Sequence, residues 1–552
     1  MGNHKHKTSN VPDDIFTDHV LVNSEASPLN SRSPQRRSGN LRLLSEPKVS
    51  EEGLAPSISG HSAAPSKTSS EAAFTLRGRP VRAWLTSLGI NLVPCSAPWW
   101  APWANLYHPP DCIPFEEILS ACARERSSTL PCAAHQQHLI IYTFKRSRRK
   151  QCVWKPCRLV LKCKSAELVQ EWAMRINMVI RTETQRPTNL LVIINPFGGA
   201  RKARNIWRKK AEPVFLLAGI KSTVVETQRA DHAKEIVTGL SLSELQSFDG
   251  FIAVGGDGLF QEILNGLLAI RGNGGQAGQV AAHLRLGHIP AGSTDAVAYS
   301  LNGCRCQATA ALHIALGDRT PLDVMRVDMS SGAHRYAVCV ASYGYMGDLM
   351  RTSERLRFLG PARYGLAGAW TLLRGAAYDA EVSYLPAPGT ASTAASKECR
   401  AACSVCSPTV PSRDVGQEAA FMSSSRKSLT EDGWVQRQGR YKSIMAVVTS
   451  CRSDMSSKGL SPHGHLCDGR LHLVLVHASS RLQYLRFLAS IPREGVQAGK
   501  FPFVEMIDCA AVHLTPVGAQ SCWNVDGELL PDTEVTMKVH RGLADVFARG
   551  IE

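Results

Sequence analysis

The feature that most constrains this chain is one junction written three times between positions 190 and 300: an apolar run, a glycine-rich turn, then a helical run. Asn195-Pro196-Phe197-Gly198-Gly199 follows the apolar residues 190–194 and precedes a basic helix. Gly255-Gly256-Asp257-Gly258 follows 250–254 and opens a second helix, and Pro290-Ala291-Gly292-Ser293-Thr294-Asp295 makes the third such turn. Paired glycines let backbone N–H groups approach a phosphate closely, and the helix that follows adds partial positive charge at its N-terminus. A turn that only needs unusual backbone angles requires glycine but no acid, so Asp257 among three glycines points to chemistry.

The surroundings of these turns predict α/β alternation. Strands are expected at 190–194, 222–226 and 250–254, and helices at 202–217, 231–240 and 259–270, which implies a parallel sheet with ligands at the strand carboxyl ends. From about 320 onward short alternating runs at 335–340, 381–385, 443–448, 471–476 and 534–539 predict a second, mainly antiparallel β lobe. Residues 386–432, rich in Ser, Ala, Pro and Thr, form an irregular insertion. The chain thus divides into a tail (1–72), a small β domain (73–181), an α/β nucleotide-binding lobe (187–319) and a β-rich lipid-binding lobe (320–552).

The tail is Ser-, Pro- and charge-rich without periodicity and is expected to be disordered. The small domain shows strands at 138–144 and 158–163, then a helix from Ser165 that carries Leu168, Trp172, Ile176 and Ile180 on one face. Strands closed by one helix with a central Trp resemble a pleckstrin-homology domain; a small unrelated α+β domain is the alternative. Lys145-Arg146-Ser147-Arg148-Arg149-Lys150 lies between the two strands as a basic hairpin tip, suited to lipid phosphates or, as readily, to a solvated turn. Pro98-Trp99-Trp100-Ala101-Pro102-Trp103 is either an interfacial anchor or a loop packed on its own domain.

A net charge of +16 favours an acidic partner: a phosphorylated substrate, an anionic membrane surface or nucleic acid. No nucleic-acid recognition module accompanies the charge, so nucleic acid is not expected. The start of the chain has no apolar core for a secretory signal, and His6 stands where a myristoylation motif wants Ser or Thr. No run nears the roughly 18 apolar residues of a membrane span. The 17 cysteines are therefore read mostly as reduced thiols of a cytoplasmic, peripherally membrane-associated protein. A P-loop NTPase and a protein kinase are disfavoured because neither Gly-x4-Gly-Lys-Ser/Thr nor an Asp-Phe-Gly/His-Arg-Asp set is present.

Three such turns in order, followed late by Asp526-Gly527-Glu528, resemble the diacylglycerol-kinase catalytic superfamily, which includes diacylglycerol, sphingosine and ceramide kinases. The resemblance covers about 189 to the C-terminus. The pleckstrin-like domain, Cys399-Arg400-Ala401-Ala402-Cys403-Ser404-Val405-Cys406 and the closing run Val546-Phe547-Ala548-Arg549-Gly550-Ile551-Glu552 narrow it to the ceramide kinases. The resemblance implies phosphoryl transfer from ATP, with Mg²⁺, to the primary hydroxyl of ceramide. Sphingosine or diacylglycerol is the alternative acceptor, and a non-catalytic membrane adaptor the alternative of another class.

Phosphoryl transfer needs positioning, charge neutralisation and a base for the attacking hydroxyl. By the resemblance Asp257 is that base and the turn Gly255, Gly256, Asp257, Gly258 receives the substrate hydroxyl. Asn195, Pro196, Phe197, Gly198 and Gly199 hold the nucleotide phosphates with Gly292, Ser293 and Thr294, and Thr227 and Glu262 line the same site. Asp526, Gly527 and Glu528 are expected to meet the nucleotide–Mg²⁺ across the cleft. Arg357 and Arg363 match arginines that contact nucleotide phosphates in sphingosine kinases, and Asp348 matches a residue near the lipid headgroup. Cys399, Cys403 and Cys406 admit three readings: structural Zn²⁺ completed by Cys467, His465 or His463, an iron–sulfur cluster, or unliganded thiols.

Overall fold

The computed structural model describes residues 17–18, 71–95, 112–125, 137–183, 185–356, 359, 362–387, 398–406 and 433–552. Most of the tail 1–72, the segment with Trp99, Trp100 and Trp103, and most of the insertion 386–432 lie outside these residues.

The amino-terminal block is an eight-stranded sheet. Its strands are β1 (Thr17–Asp18), β2 (Glu71–Leu76), β3 (Arg79–Leu85), β4 (Gly89–Pro94), β5 (Cys112–Pro114), β6 (Ser120–Glu125), β7 (Gln137–Arg146) and β8 (Trp154–Cys163). They run in the order β5-β4-β3-β2-β8-β7-β6, with β1 parallel to β8. Helix α1 (Ala166–Glu183) closes the sheet where the sequence expects it. Ser165 starts it, its hydroxyl accepting the Leu168 N–H at 3.1 Å. The 3–4-residue spacing then buries Trp172, Ile176 and Ile180, with Trp172 edge-on to Phe74 at 5.1 Å. Each buried side chain of this size contributes about 1.5–3 kcal/mol.

The remaining chain builds one fourteen-stranded sheet. Its first half is parallel: β9 (Asn189–Ile194), β10 (Lys221–Glu226), β11 (Gly250–Gly255) and β12 (Arg285–Pro290), in the order β10-β9-β11-β12. Between and after them lie α2 (Ala203–Ile206), a π turn (Trp207–Ala211), α3 (Glu212–Leu217), α4 (His232–Thr238), α5 (Leu242–Ser247), α6 (Asp257–Gly272), α7 (Gly275–His283), α8 (Ala296–Asn302) and α9 (Gln307–Leu316). The central strands β9 and β11 read as apolar runs because helices cover both faces, whereas the edge strand β10 is polar and largely exposed. The chain leaves β9 for β10 on one side and β11 on the other, so a topological switch point opens between the ends of β9 and β11.

The second half is antiparallel and consists of β13 (Arg319–Met329), β14 (His334–Ala337), β15 (Val340–Gly344), β16 (Tyr378–Pro386), β17 (Val435–Val447), β18 (Leu471–His477), β19 (Val504–Val517), β20 (Trp523–Val525), β21 (Glu528–Leu529) and β22 (Val535–Phe547). One expectation is corrected here: the strands are not uniformly short, since β17 and β22 have 13 residues and β19 has 14. Across 319/320 the sheet is continuous, because β22 pairs in parallel with β12 and antiparallel with β13 and β19 and so forms the seam. Its Phe547 ring occupies the space over Gly250, where a Cβ would lie 2.6 Å from Cε2. Three helices that the alternating pattern did not announce are α10 (Tyr345–Arg355), α11 (Ala362–Arg374) and α12 (Arg481–Glu494).

The amino-terminal block docks on α9. Trp154 stacks on His313 at 4.0 Å between centroids, and its backbone N–H donates to Thr309 Oγ1 at 2.9 Å. Arg146, expected at a basic hairpin tip, instead bridges Glu117 (2.8 Å) and Glu552 beside the Phe144 ring. Arg148, Arg149 and Lys150 remain exposed beyond it.

Candidate active site

The three glycine-rich turns meet at the switch point, and their glycines are what permit the approach. A Cβ on Gly292 would sit 2.5 Å from Gly256 Cα, and one on Gly199 would sit 2.6 Å from the Ala291 carbonyl oxygen. Gly199 also has φ +54°, in the left-handed region. Asn195 shapes the first turn by accepting the Phe197 and Gly198 N–H groups at 2.9 and 3.1 Å on Oδ1. Pro196 is buried beneath this turn while Phe197 stands exposed at its lip. Ser293 and Thr294 are exposed at the third turn.

Asp257 begins α6, and its two carboxylate oxygens accept the first N–H groups of α8, from Ala296 and Val297, each at 2.9 Å. A helix N-terminus thereby fixes the direction of the carboxylate. Glu528 reaches the same place from β21: its Oε1 lies 4.0 Å from where a Cβ of Gly258 would be, and Oε2 pairs with Arg335 at 2.5 Å. Gly527, with φ +97°, makes the turn that presents it.

Other expected residues have different tasks. Asp526 does not extend into the cleft. Its carboxylate accepts the N–H groups of Val338, Cys339 and Val340 and the Gln261 side-chain amide, which locks β20 to the start of β15. Burial, against the pull of these amides, raises its pKa to about 6. Glu262 caps α4 through the Ala233 N–H at 3.0 Å, and burial, with Asp231 and Glu528 nearby, raises its pKa. Thr227 is buried at the end of β10, its N–H donating to Ile194. Arg363 is tied to Glu354 (3.7 Å) and the Tyr364 hydroxyl (2.7 Å) on α10 and α11, with no described contact to the turns. Arg357 lies outside the described residues. Asp348 is buried in the antiparallel half, where Arg351 (2.6 Å), Ser521 (2.9 Å) and the Tyr378 hydroxyl donate to it.

Sequence reasoning missed Arg305 and the role of Asp295. Arg305 donates to Asp295 Oδ2 through Nε and Nη2 (3.0 and 2.8 Å) and to the Gly292 carbonyl (2.9 Å), while Asp295 Oδ1 accepts the Gly292 N–H (2.8 Å). This clamp holds the third turn, with Asp295 at φ 53°. Burial raises the Asp295 pKa. Asp295 stands inside a turn already flagged, but nothing near Arg305 marks it in the sequence.

Of the three fourth-ligand candidates, the structure brings His465 to the cysteines. Cys399, Cys403, Cys406 and His465 offer ligand atoms all within 4.8 Å of one another, with Cys399 Sγ to Cys406 Sγ 3.7 Å and Cys403 Sγ to His465 Nδ1 3.2 Å. Zn–S bonds of about 2.3 Å at tetrahedral angles imply sulfur–sulfur edges near 3.8 Å, so this donor set fits the ion. Cys467 is buried nearby but outside the cluster. A cavity of about 560 Å³ separates these cysteines from the carboxyl terminus and from Glu117 and Arg146 of the amino-terminal block.

Residues 189–327 match the diacylglycerol kinase catalytic domain, and residues 339–522 match the ceramide kinase C-terminal domain. Ceramide kinase from Homo sapiens is 34% identical over 450 residues, covering 75% of this chain and 82% of that protein. The chain belongs to the ceramide kinase family. Ceramide kinase from Oryza sativa subsp. japonica is 32% identical over 519 residues, covering 75% of this chain and 85% of that one. A diacylglycerol kinase structure from Bacillus anthracis aligns over 66% of this chain and 98% of its own, at 15% identity and TM-score 0.44. The first family match ends inside β13 and the second begins just after β14, so their boundary lies within the antiparallel half of the sheet.

Proposed function

We infer that the chain transfers the γ-phosphoryl group of ATP to the primary hydroxyl of ceramide, giving ceramide 1-phosphate and ADP. The hydroxyl oxygen bonds to the γ-phosphorus, the bond to the ADP oxygen breaks, and Asp257 takes the hydroxyl proton. Backbone N–H groups of the turns at 195–199 and 292–294 hold the nucleotide phosphates, and Arg305 keeps the third turn in shape. Mg²⁺, held by Glu528 together with the phosphates, would neutralise charge that builds on the transferred group. Zn²⁺ on Cys399, Cys403, Cys406 and His465 would be structural, pinning the segment 398–406 to the core.

The observation that carries the choice of lipid is the state of Asp348. Its carboxylate is already paired with Arg351 and accepts from Ser521 and Tyr378. A sphingosine amine would find no spare negative charge there, whereas the neutral amide of ceramide requires none. Met350, two residues on, adds an apolar side chain rather than an acid.

The amino-terminal block is read as pleckstrin-homology-like, supported by its strand order and closing helix, and the protein as cytoplasmic and peripheral to an anionic membrane. No helix among the described residues is long and apolar enough to cross a bilayer. Radiolabelled ATP supplied with ceramide, sphingosine and diacylglycerol in parallel tests the assignment. Ceramide is expected to lead sphingosine by at least about tenfold in kcat/KM. Equal use of sphingosine would overturn ceramide as substrate and leave the lipid kinase standing.

A further inference from the structure

The antiparallel half carries an apolar face with no partner among the described residues. On α11 the inner side is fixed: Ala367 and Thr371 are buried, and the Tyr345 hydroxyl donates to the Gly368 carbonyl at 3.1 Å. Leu366, Trp370 and Leu373, spaced i, i+4, i+7, face outward at 55%, 63% and 65% exposure. Helix α12 repeats the pattern, with Tyr484 and Phe487 inside and Leu482 and Leu485 outside. The two helices adjoin, because a Cβ on Gly375, just past α11, would lie 2.9 Å from Arg481 Nε at the start of α12.

Charge decides what covers this face. Around the apolar residues α11 and α12 carry Arg363, Arg374, Arg481, Arg486 and Arg493 against one acid, Glu494. Arg363 is paired inward with Glu354, but Arg374, Arg481, Arg486 and Arg493 are exposed. An apolar stripe with an outward Trp, rimmed by arginines, is the pattern of a helix lying in the headgroup zone, where the indole sits at the interface and guanidinium groups reach lipid phosphates.

We propose that the outer face of α11 and α12 docks on an anionic glycerophospholipid leaflet. This rests on the reading that the substrate is met at a membrane. It assigns docking to the antiparallel lobe, in addition to any contact by the exposed residues 148–150.

The test uses the full chain and vesicles of phosphatidylcholine with and without phosphatidylserine. Trp370→Glu with Leu373→Glu, and separately Leu482→Glu, change only exposed positions and are expected to fold. Each is expected to weaken sedimentation with phosphatidylserine vesicles by about tenfold or more. Turnover of a short-chain, water-dispersed ceramide should stay within about twofold of the parent, since these outward-facing side chains are not among the residues of the phosphoryl site. Failure of the parent protein to bind either vesicle would overturn the membrane reading itself. Parent binding retained by both variants would overturn this face alone. Retained vesicle binding together with loss of a dimer in light scattering would mean that a second copy covers the face, and would also overturn the proposal.

Discussion

In the parallel half of the sheet Gly199, Gly256 and Gly292 bring three strand ends within contact, so that the proposed phosphate site is made of main-chain N–H groups. In the antiparallel half the proposed headgroup site is made of side chains gathered from afar: Asp348 is held by Tyr378 and by Ser521, the latter 173 residues away. Backbone recognition demands glycine at fixed offsets from a strand end and leaves a local mark in the sequence. Side-chain recognition recruits any residue that the fold places nearby and leaves almost none. Asp257 and Asp526 show the contrast in one residue type. The first opens a helix at the switch point, while the second spends its lone pairs on β15.

The sharpest way to break this comparison is to alter the one side chain on which the parallel half depends. Asp257→Asn keeps an acceptor for one of the two α8 N–H groups but cannot take the hydroxyl proton, so kcat should fall about 10²–10⁴-fold with KM for ATP little changed. Near-normal turnover in the folded variant would remove Asp257 as the base.

Gly292→Ala tests whether backbone approach matters as argued. The new methyl meets Gly256 Cα and Asp295 Oδ1 at 2.5 and 2.6 Å, so the turns must separate. A displacement of about 1 Å at such a site costs roughly 10²-fold in kcat/KM for ATP. Unchanged nucleotide kinetics would show that the contact of the turns is incidental.

Stability rather than rate should register the metal. Protein purified without added metal is expected to hold about one Zn²⁺ per chain by elemental analysis. Cys403→Ser should release it and lower unfolding free energy by more than about 2 kcal/mol. Zinc-free parent protein of full stability would leave the cysteines as packed thiols.

The smallest effect concerns Asp526. Its folded pKa of about 6 lies above the ordinary aspartate value of about 3.9, so the native state holds the proton more tightly than the unfolded chain. The stability it contributes is complete below about pH 4 and is lost as pH rises through about 6. Urea unfolding across that interval should show a steeper decline for the parent than for Asp526→Asn, even though the variant is less stable throughout for want of an acceptor. Parallel slopes would place the titration elsewhere.

The sequence by itself determined much of the parallel half: the strands at 190–194, 222–226 and 250–254, the three turns and Asp257 follow from glycine and apolar periodicity within short windows. It also determined α1, because Trp172, Ile176 and Ile180 repeat at helical spacing after the Ser165 cap. Only the tertiary structure decided that β22 fuses both halves into one sheet, that Arg305 clamps the third turn, and that His465 rather than Cys467 joins the cysteines. It alone decided that Arg146 pairs with Glu117 and Glu552 and that Glu262 caps α4. The physical reason is range. Main-chain conformation is set by residues a few positions apart, whereas the partner of a charged side chain is set by which distant segments the folded core brings within about 3 Å.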